Sequence, residues 1–469
     1  MTPTIKVTPE VAIMDQKVRI LVQGLPPFAP ITIDTFLVHY HILYAGIGQY
    51  YATKDGIVEA GVQPSFGGTY QGVKEMGLFT SMTILPCRNA GSRFLLKGDA
   101  SQEIPFEINV WSGHLSGDDV HRLHLPYTLY GTYGEAPNDT NVFYKSHFLC
   151  KTSVRRTYLD PSVRRIRVRV EHLGTKIRGT LFMPPGPGPF PAIIDSFGGV
   201  GGCVEVRAAL LARRGFAALA LAYFSYEDLP YKSVWEYPIT YFDKAIDWLL
   251  TQKRISQYGV GISGVCQGAQ NAVLVAMRNP RVKACVCLNT NNFLMSDPTL
   301  KVNPIQALYH GTIEYISPTG TLELLDGKVQ ARQGACPVMT RPLLHYGHDN
   351  AFLFIVGGSE GATHAQQLVQ EVRDQLTRSG KHQHWVEVIE GQGHLIEPPY
   401  SMQCTASRDV GSSPKAISSP KGDTWIYLNN LLTNWGGEPA MHEDGQLKAW
   451  NLMVDFMKKH LTEPLKAKL

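Results

Sequence analysis

One short motif near the middle of the chain places a nucleophilic side chain between two glycines. It reads Gly264-Val265-Cys266-Gln267-Gly268, the cysteine form of the G-x-S-x-G turn. The apolar segment before it has the length of a buried strand, and the segment after it has that of a helix. Backbone N–H groups and the dipole at a helix N-terminus favour a thiolate. We therefore predict that Cys266 is a covalent nucleophile and that Gly264 and Gly268 allow the sharp turn that exposes it.

A second candidate nucleophile lies three residues earlier. Ser263 stands in the sequence Gly261-Ile262-Ser263-Gly264-Val265, where the second glycine of the motif is missing. Cys266 matches the motif at both ends, and its other interpretation is a buried thiol without chemistry. The position between an apolar strand and a helix favours Cys266 as the nucleophile.

A nucleophile of this kind needs a base, and an acid that orients the base. Around this turn they follow along the chain in the order nucleophile, acid, histidine. His394 lies in the loop after the strand-like segment 385–389, and Glu360 lies in the loop after the apolar segment 351–356. Asp349 precedes that segment, and Asp374 lies within the next helix-length stretch. The sequence thus predicts the triad Cys266, Glu360 and His394.

A glycine-rich loop at 197–202 offers a place for the oxyanion that acyl transfer creates. The loop, FGGVGG, follows the apolar segment 190–195 and precedes a helix-length segment. It could also bind phosphate, but G-x-G-x-x-G is not matched in full and no P-loop lysine follows. We therefore expect the backbone N–H groups of Gly198, Gly199 and Gln267 to form an oxyanion hole.

The elements that must hold these residues alternate between strands and helices after residue 160. The predicted strands are 164–170, 190–195, 216–224, 258–263, 282–289, 351–356 and 385–389. The predicted helices are 204–215, 234–252, 266–280, 364–380 and 441–461. Nearly continuous apolar strands that alternate with helices are typical of an α/β fold, with a parallel sheet covered on both faces.

The first third of the chain has a different pattern. Polar and apolar residues alternate in 18–25, 31–40 and 106–115, and clusters of glycine and proline separate these segments. No segment there has the pattern of an amphipathic helix. Short strands with frequent turns predict an all-β sandwich. We expect two domains, a β-sandwich at 1–158 and a catalytic α/β domain at 159–469.

Composition excludes several classes of protein. The net charge of +4, from 44 basic and 40 acidic residues, is too small to indicate nucleic-acid binding. No apolar stretch reaches the length of about 18 residues that a transmembrane helix needs, and the N-terminus lacks the apolar core of a secretory signal. The eight cysteines show neither zinc-ligand spacing nor a disulfide pattern. We expect no bound metal and no cofactor.

Beyond these motifs, the chain resembles the acyl-CoA thioesterases and the bile acid-CoA:amino acid N-acyltransferases over nearly its whole length. The segments that carry the resemblance are QGLPPFAPITI, GGTYQGVKEMGLF, RGTLFMPPGPGPFPAIIDSFGG, ALAYFSYEDLP, FLFIVG, GHLIEPPY and WGGEPAMH. It implies a β-sandwich followed by an α/β-hydrolase domain with a doubly wound, mostly parallel sheet. It also implies a triad of Ser or Cys, Asp and His, in which Cys266, Glu360 and His394 take those positions. Glu360 departs from the family pattern, which has Asp.

The nucleophile in the sharp strand–helix turn, here called the elbow, differs between two branches of this family. Its hydrolytic members carry serine, and its amino-acid-conjugating members carry cysteine followed by Gln-Gly, as in Cys266-Gln267-Gly268. The resemblance therefore implies transfer of a fatty or bile acyl group from coenzyme A to glycine or taurine. The alternatives are hydrolysis of acyl-CoA by water, a cysteine hydrolase of the dienelactone type, and a non-catalytic acyl-CoA-binding protein.

The chain ends in Ala467, Lys468 and Leu469, which resemble the S-K-L address for peroxisomes. Members of the resembled family occur in peroxisomes, so we expect recognition by the peroxisomal import receptor. An ordinary basic C-terminus is the alternative interpretation, with the cytoplasm as the alternative compartment.

Overall fold

The structure of the protein is a computed structural model. It describes residues 2–39, 42–85, 99–130, 145–199, 201–232, 236–290, 315–316, 321–323, 350–360, 365–378, 380, 382–408, 415–418, 425–428 and 432–462. The helices in this part of the chain are α1 (Gly77–Thr80), α2 (Gly117–Tyr130), α3 (Val206–Arg213), α4 (Thr240–Leu250), α5 (Gln267–Arg278), α6 (Ala365–Arg378) and α7 (Pro439–Leu461).

Two β-sheets in the first third of the chain share one apolar core. Their strands are β1 (Thr4–Thr8), β2 (Val11–Ile13), β3 (Arg19–Gln23), β4 (Pro30–His39), β5 (Ile42–Tyr51), β6 (Val58–Ala60), β7 (Thr83–Leu85), β8 (Ile104–Ser112) and β9 (Phe148–Thr157). The strand orders are β1-β3-β6 and β2-β9-β8-β4-β5-β7. Inward side chains of both sheets, such as Val22, Ile33 and Val154, belong to one buried cluster. The prediction of an N-terminal β-sandwich is confirmed.

The prediction that this region contains no amphipathic helix is wrong, because α2 follows β8. Its first turn is closed by a reciprocal cap: Asp119 N–H donates to Ser116 Oγ at 3.1 Å, and Ser116 N–H donates to the Asp119 carboxylate at 2.9 Å. Val120 and Leu123 are buried in a cluster with residues of the sandwich. Pro126 falls inside the helix, and a proline in a sequence normally indicates a helix end.

The rest of the chain is built around one large sheet. The remaining strands are β10 (Arg164–His172), β11 (Thr175–Met183), β12 (Phe190–Ser196), β13 (Ala217–Ala222), β14 (Ile255–Val265), β15 (Val282–Leu288), β16 (Tyr315–Ile316), β17 (Thr321–Glu323), β18 (Ala351–Gly357), β19 (His384–Ile389), β20 (Ala406–Arg408), β21 (Lys415–Ser418), β22 (Trp425–Leu428) and β23 (Leu432–Asn434). The large sheet has eight strands in the order β10-β11-β13-β12-β14-β15-β18-β19. Every pair from β13 to β19 is parallel, whereas β11 is antiparallel to both neighbours.

This sheet confirms the prediction of a mostly parallel α/β-hydrolase domain. Strands β13 and β18 are buried along their whole length, as expected when helices cover both faces of a parallel sheet. Each predicted helix after residue 160 has an observed counterpart, from α3 to α7. Strand β11 was not predicted as a strand. The short strands form separate small sheets, β16-β17-β23-β20 and β21-β22.

The sandwich contacts the segment that follows the predicted catalytic histidine. The guanidinium of Arg156, at the end of β9, is fully buried and donates to the Tyr400 carbonyl at 3.0 Å. The hydroxyl groups of Tyr158 and Ser401 are 3.1 Å apart. Gln446 of α7 binds the same segment, accepting from Tyr400 N–H at 3.1 Å and donating to the Ser401 carbonyl at 3.0 Å. The loop after His394 is therefore held between the sandwich and α7.

A second contact ties α7 itself to the sandwich. The buried carboxylate of Glu443 accepts from Met76 N–H at 3.1 Å and from Thr80 Oγ1 at 2.9 Å. The sheet of the sandwich ends at Thr157 and the large sheet begins at Arg164; a domain boundary after residue 158 stays a prediction. Within the described ranges, no helix is both long enough and apolar enough to cross a bilayer.

Candidate active site

The predicted nucleophile lies in a sharp turn between β14 and α5. Cys266 has φ 56° and ψ −123°, a strained backbone conformation for a residue with a side chain. A Cβ on Gly264 would lie 2.1 Å from the carbonyl carbon of Gly268, and a Cβ on Gly268 would lie 2.2 Å from the Ser196 carbonyl oxygen. Both positions therefore accept only glycine. The structure places the two glycines around Cys266 as a strand–turn–helix requires.

The rival nucleophile Ser263 has a different environment. Its side chain is fully buried in β14, and its hydroxyl donates to the Asp195 carboxylate at 2.6 Å. Asp195 is in turn paired with the buried guanidinium of Arg207 at 2.7 Å. Ser263 is thus committed to a buried ion pair in the sheet, whereas Cys266 is partly exposed.

His394 and Glu360 meet in the loops after β19 and β18. His394 Nδ1 lies 2.7 Å from Glu360 Oε1, and both side chains are almost completely buried, at 1% and 3% exposure. Trp435 stacks on the imidazole, with ring centroids 5.0 Å apart and planes 19° from parallel. Its carbonyl also accepts from His394 N–H at 2.7 Å. Glu360 therefore fixes the edge of the imidazole ring, and Trp435 fixes its face.

The thiol of Cys266 acts electrostatically on the imidazole of His394. Nε2 is buried and has no hydrogen-bond partner among the described residues. Burial alone would lower the pKa of His394, but the negative charge of the Cys266 thiolate, together with Glu360, raises it to about 10. The structure thus brings Cys266, His394 and Glu360 together in the order that a triad needs.

Opposing influences act on the thiol of Cys266. Burial raises its pKa, but the positive charge of His394 and the backbone N–H groups of Gln267 and Gly199 outweigh that effect and lower the pKa below its ordinary value. Because the pKa of the thiol falls while that of the imidazole rises, the site favours a thiolate paired with an imidazolium.

The predicted oxyanion residues lie next to the sulfur. The N–H groups of Gln267, at the start of α5, and of Gly199, in the loop after β12, both face Cys266 Sγ. Gly198 packs against the nucleophile, since a Cβ there would lie 2.9 Å from Cys266 Cβ and 3.3 Å from Sγ. Two backbone donors on one side of a nucleophile can stabilise the negative oxygen of a tetrahedral intermediate.

One residue that positions the site was missed in the sequence. Asn289, directly after β15, is buried and donates to the carbonyls of Gly393 at 3.0 Å and His394 at 2.7 Å. Its Oδ1 accepts from Gly357 N–H at 2.8 Å. It therefore joins the ends of three strands. The signal was the first polar residue after the mostly apolar segment 282–288, at the sheet edge where α/β sites form.

This arrangement can form and release a covalent acyl group. A thiolate can attack a carbonyl carbon, the two N–H groups can hold the resulting oxyanion, and the imidazolium can protonate a leaving group. The predicted targeting residues Ala467, Lys468 and Leu469 lie outside the described residues, so the tail stays a prediction.

Comparison with known proteins gives family matches in both parts of the chain. Residues 15–170 match a family model described as "Acyl-CoA thioester hydrolase/BAAT N-terminal region". Residues 237–463 match one described as "BAAT / Acyl-CoA thioester hydrolase C terminal". The first match includes most of the sandwich, and the second includes Cys266, Glu360 and His394.

Individual relatives align over nearly the full length of the chain. The bile acid-CoA:amino acid N-acyltransferase of Homo sapiens is 33% identical over 98% of this chain and 99% of that protein. The acyl-coenzyme A amino acid N-acyltransferase 2 of Rattus norvegicus is 32% identical over 97% of each. The acyl-coenzyme A thioesterase 1 of Homo sapiens is 30% identical over 95% of this chain and 94% of that protein. Two kinds of enzyme are thus similar to this chain to nearly the same degree.

Replacing Glu360 by Gln tests how the triad is charged. The change removes the negative charge that helps to raise the pKa of His394, so the imidazolium is lost at lower pH. The pKa of Cys266 then rises, because less positive charge faces the thiolate. We expect alkylation of Cys266 by iodoacetamide near neutral pH to slow by about tenfold, the size of one weakened hydrogen bond to a charged group. Mass spectrometry of the peptide with Cys266, over a pH series, gives the rate and its midpoint.

The matched control is Glu438→Gln, because Glu438 accepts a hydrogen bond from Ser359 Oγ at 2.7 Å beside Glu360. This variant should keep the wild-type midpoint. Glu360→Asp keeps the negative charge, and its alkylation midpoint should lie between those of the wild type and Glu360→Gln. An unchanged midpoint in Glu360→Gln would mean that Glu360 does not act on His394.

Proposed function

Because the chain belongs to the family of acyl-CoA thioester hydrolases and bile acid-CoA:amino acid N-acyltransferases, we propose that it transfers an acyl group from coenzyme A to a small amino acid. The observation that carries the proposal is the cysteine at the elbow, Cys266, paired with His394. Support for the acyl donor comes from the relatives, whose names all contain acyl-CoA or bile acid-CoA. We propose a fatty or bile acyl group as the donor and glycine or taurine as the acceptor.

The first half of the reaction transfers the acyl group to the enzyme. The Cys266 thiolate attacks the thioester carbonyl, and the N–H groups of Gln267 and Gly199 hold the oxyanion. Collapse of the intermediate breaks the bond to the sulfur of coenzyme A. His394 imidazolium protonates that sulfur, so coenzyme A leaves as a thiol and His394 becomes neutral. Glu360 keeps the imidazole oriented throughout.

The second half transfers the acyl group to the amine. An unprotonated amine attacks the acyl-enzyme, and neutral His394 accepts a proton from the attacking nitrogen. Collapse releases the amide and regenerates the Cys266 thiolate beside a protonated imidazole. We propose that the enzyme uses no metal ion and no retained cofactor, with coenzyme A as a product.

The chemistry of the acyl-enzyme favours an amine over water. A cysteine acyl-enzyme is a thioester, which amines attack readily relative to water. A serine acyl-enzyme would be an ordinary ester, which is mostly hydrolysed. Position 266 therefore influences the fate of the acyl group as well as the rate at which it is loaded.

Hydrolysis is the second candidate function. The acyl-coenzyme A thioesterase 1 of Homo sapiens is similar to this chain over nearly its whole length. The same base that deprotonates an amine can deprotonate water. A thioesterase would release coenzyme A and free acid at a rate that does not depend on an amine.

A product assay separates the two functions. Purified enzyme is incubated with a long-chain acyl-CoA or a bile acyl-CoA, with and without glycine or taurine, and the products are identified by mass spectrometry. We expect N-acyl amino acid in proportion to the amine supplied. The yield should rise with pH towards the pKa of the amine, because only the unprotonated amine attacks.

Cys266→Ala is the control for this assay, and it should release no coenzyme A above background. Free acid alone, across all amines and both acyl groups, would replace the transferase by a thioesterase. Coenzyme A release by Cys266→Ala at the wild-type rate would refute Cys266 as the nucleophile.

A second prediction concerns the choice between amine and water. Cys266→Ser should shift the products from N-acyl amino acid towards free acid, because the acyl-enzyme becomes an ester. The ratio of the two products at fixed amine concentration measures the shift. The matched control is Cys150→Ser, a partly exposed thiol of the sandwich, which should keep the wild-type ratio. If Cys266→Ser also keeps that ratio, the pocket rather than the nucleophile selects the acceptor.

We propose that the protein is imported into peroxisomes through its last three residues. The support is the sequence Ala467-Lys468-Leu469 alone. Deletion of these residues from a chain with a fluorescent tag at its N-terminus should move the protein from peroxisomes to the cytosol, as seen by microscopy. A full-length chain that is already diffuse would contradict this proposal.

A further inference from the structure

A buried tyrosine lies behind the loop that supplies one oxyanion donor. Tyr223 follows β13 and is only 3% exposed. Its hydroxyl donates to two successive carbonyls of the loop after β12, those of Phe197 and of Gly198, the latter at 2.7 Å. The second carbonyl belongs to the peptide group whose other end is the N–H of Gly199. Tyr223 is therefore bonded to the same peptide that faces Cys266.

Because the peptide group is planar, the hydrogen bond to the Gly198 carbonyl also fixes the direction of the Gly199 N–H. In a trans peptide the carbonyl and the N–H point to opposite sides. A Gly198 carbonyl held on Tyr223 thus turns the Gly199 N–H away from Tyr223 and towards Cys266, whose pKa this N–H helps to lower. A hydrogen bond at the carbonyl also polarises the N–H of the same group and strengthens it as a donor.

The loop needs such an anchor because its backbone is free to rotate. Gly198 and Gly199 have no side chains to restrict their dihedral angles, and glycine adopts conformations that other residues avoid. A side chain on Gly198 could not supply the restriction, since a Cβ there would lie 2.9 Å from Cys266 Cβ. The orientation of this peptide must therefore be fixed by a neighbour.

The hydroxyl of Tyr223 is available for this purpose alone. It has one proton, which the two carbonyls share, so none remains for a substrate oxygen. Burial raises the pKa of Tyr223 well above its ordinary value, and the nearby Tyr237 and Cys266 raise it further, so the hydroxyl stays protonated. The ring packs against Tyr237, with centroids 4.7 Å apart, and against Phe242 at 5.6 Å.

We propose that Tyr223 is a positioning residue that aims the Gly199 N–H at the oxyanion and at the Cys266 sulfur. It acts through the Gly198–Gly199 peptide and does not touch the substrate. Its role rests on the proposed function in one respect, because it takes Cys266 as the group that attacks acyl-CoA. It applies equally to transfer and to hydrolysis, which share that step.

The test is the substitution Tyr223→Phe in the full-length protein. Phenylalanine keeps the ring in its aromatic surroundings and removes only the hydroxyl. We expect kcat for coenzyme A release to fall about tenfold, less than the roughly hundredfold loss for complete removal of an oxyanion donor. KM should stay within about twofold, because the bound substrate does not contact Tyr223. The midpoint of the pH profile for alkylation of Cys266 should move to higher pH, because the thiolate loses part of one donor.

Tyr241→Phe is the matched control. The hydroxyl of Tyr241 is also buried and donates to a backbone carbonyl, that of Ala222, at 2.7 Å. Ala222 directly precedes Tyr223 but lies outside the oxyanion loop. This variant, in α4, removes the same chemical group from a position beside the same strand end, and it should keep kcat within about twofold and the wild-type alkylation midpoint.

The outcomes separate the role of Tyr223 from the proposed function. Wild-type kcat and midpoint in Tyr223→Phe would overturn the role of Tyr223. An equal loss of activity in both variants, with both midpoints unchanged, would overturn it as well, because it would show a general effect of strand damage. If the wild-type enzyme releases no coenzyme A, the proposed function fails, and the alkylation midpoint still decides the role of Tyr223.

Discussion

The turn at Cys266 is the constraint on which the rest of the site depends. A side chain in this left-handed backbone conformation is strained and persists only where the surroundings determine it. Cys266 N–H donates to the Leu288 carbonyl at 3.1 Å, and Ser196 Oγ donates to the Gly268 carbonyl at 3.2 Å. These bonds come from β15 and β12, the two neighbours of β14 in the sheet. The strand order therefore holds the nucleophile in place from both sides.

The charges of the site compensate one another in a buried place. An isolated thiolate or carboxylate would be costly there, because burial opposes the charged form. The imidazole of His394 pairs with Glu360 through Nδ1 and interacts electrostatically with the Cys266 thiolate. The longer side chain of Glu360, compared with Asp, is accommodated, since its carboxylate reaches Nδ1 at 2.7 Å. An isolated antiparallel β-bridge between Glu360 and Gly436 fixes the backbone position of Glu360, and with it the position of its Cα.

The sequence predicted those parts that follow from local pattern. The apolar strands, the helices between them and the elbow at Cys266 all depend on residues close together in the chain. Helix α2 was missed although Ser116 and Asp119 cap its first turn, and it contains Pro126, a residue type that normally ends helices. Asn289 and Tyr223 were missed for another reason: their partners lie 104 and 25 residues away, so only the folded sheet brings them together.

The contacts between sandwich and catalytic domain also bear on how the protein is made. Domains generally fold as units while the ribosome is still working, with the N-terminal one first. Arg156 and Tyr158 leave the ribosome well before Tyr400, Ser401 and the helix α7 that they help to hold. The strands of the sandwich can thus be paired when the histidine loop emerges, and Tyr400 and Met402 then complete its core. Because of this order of synthesis, the loop that follows His394, the last triad residue to be made, can fold directly onto the sandwich.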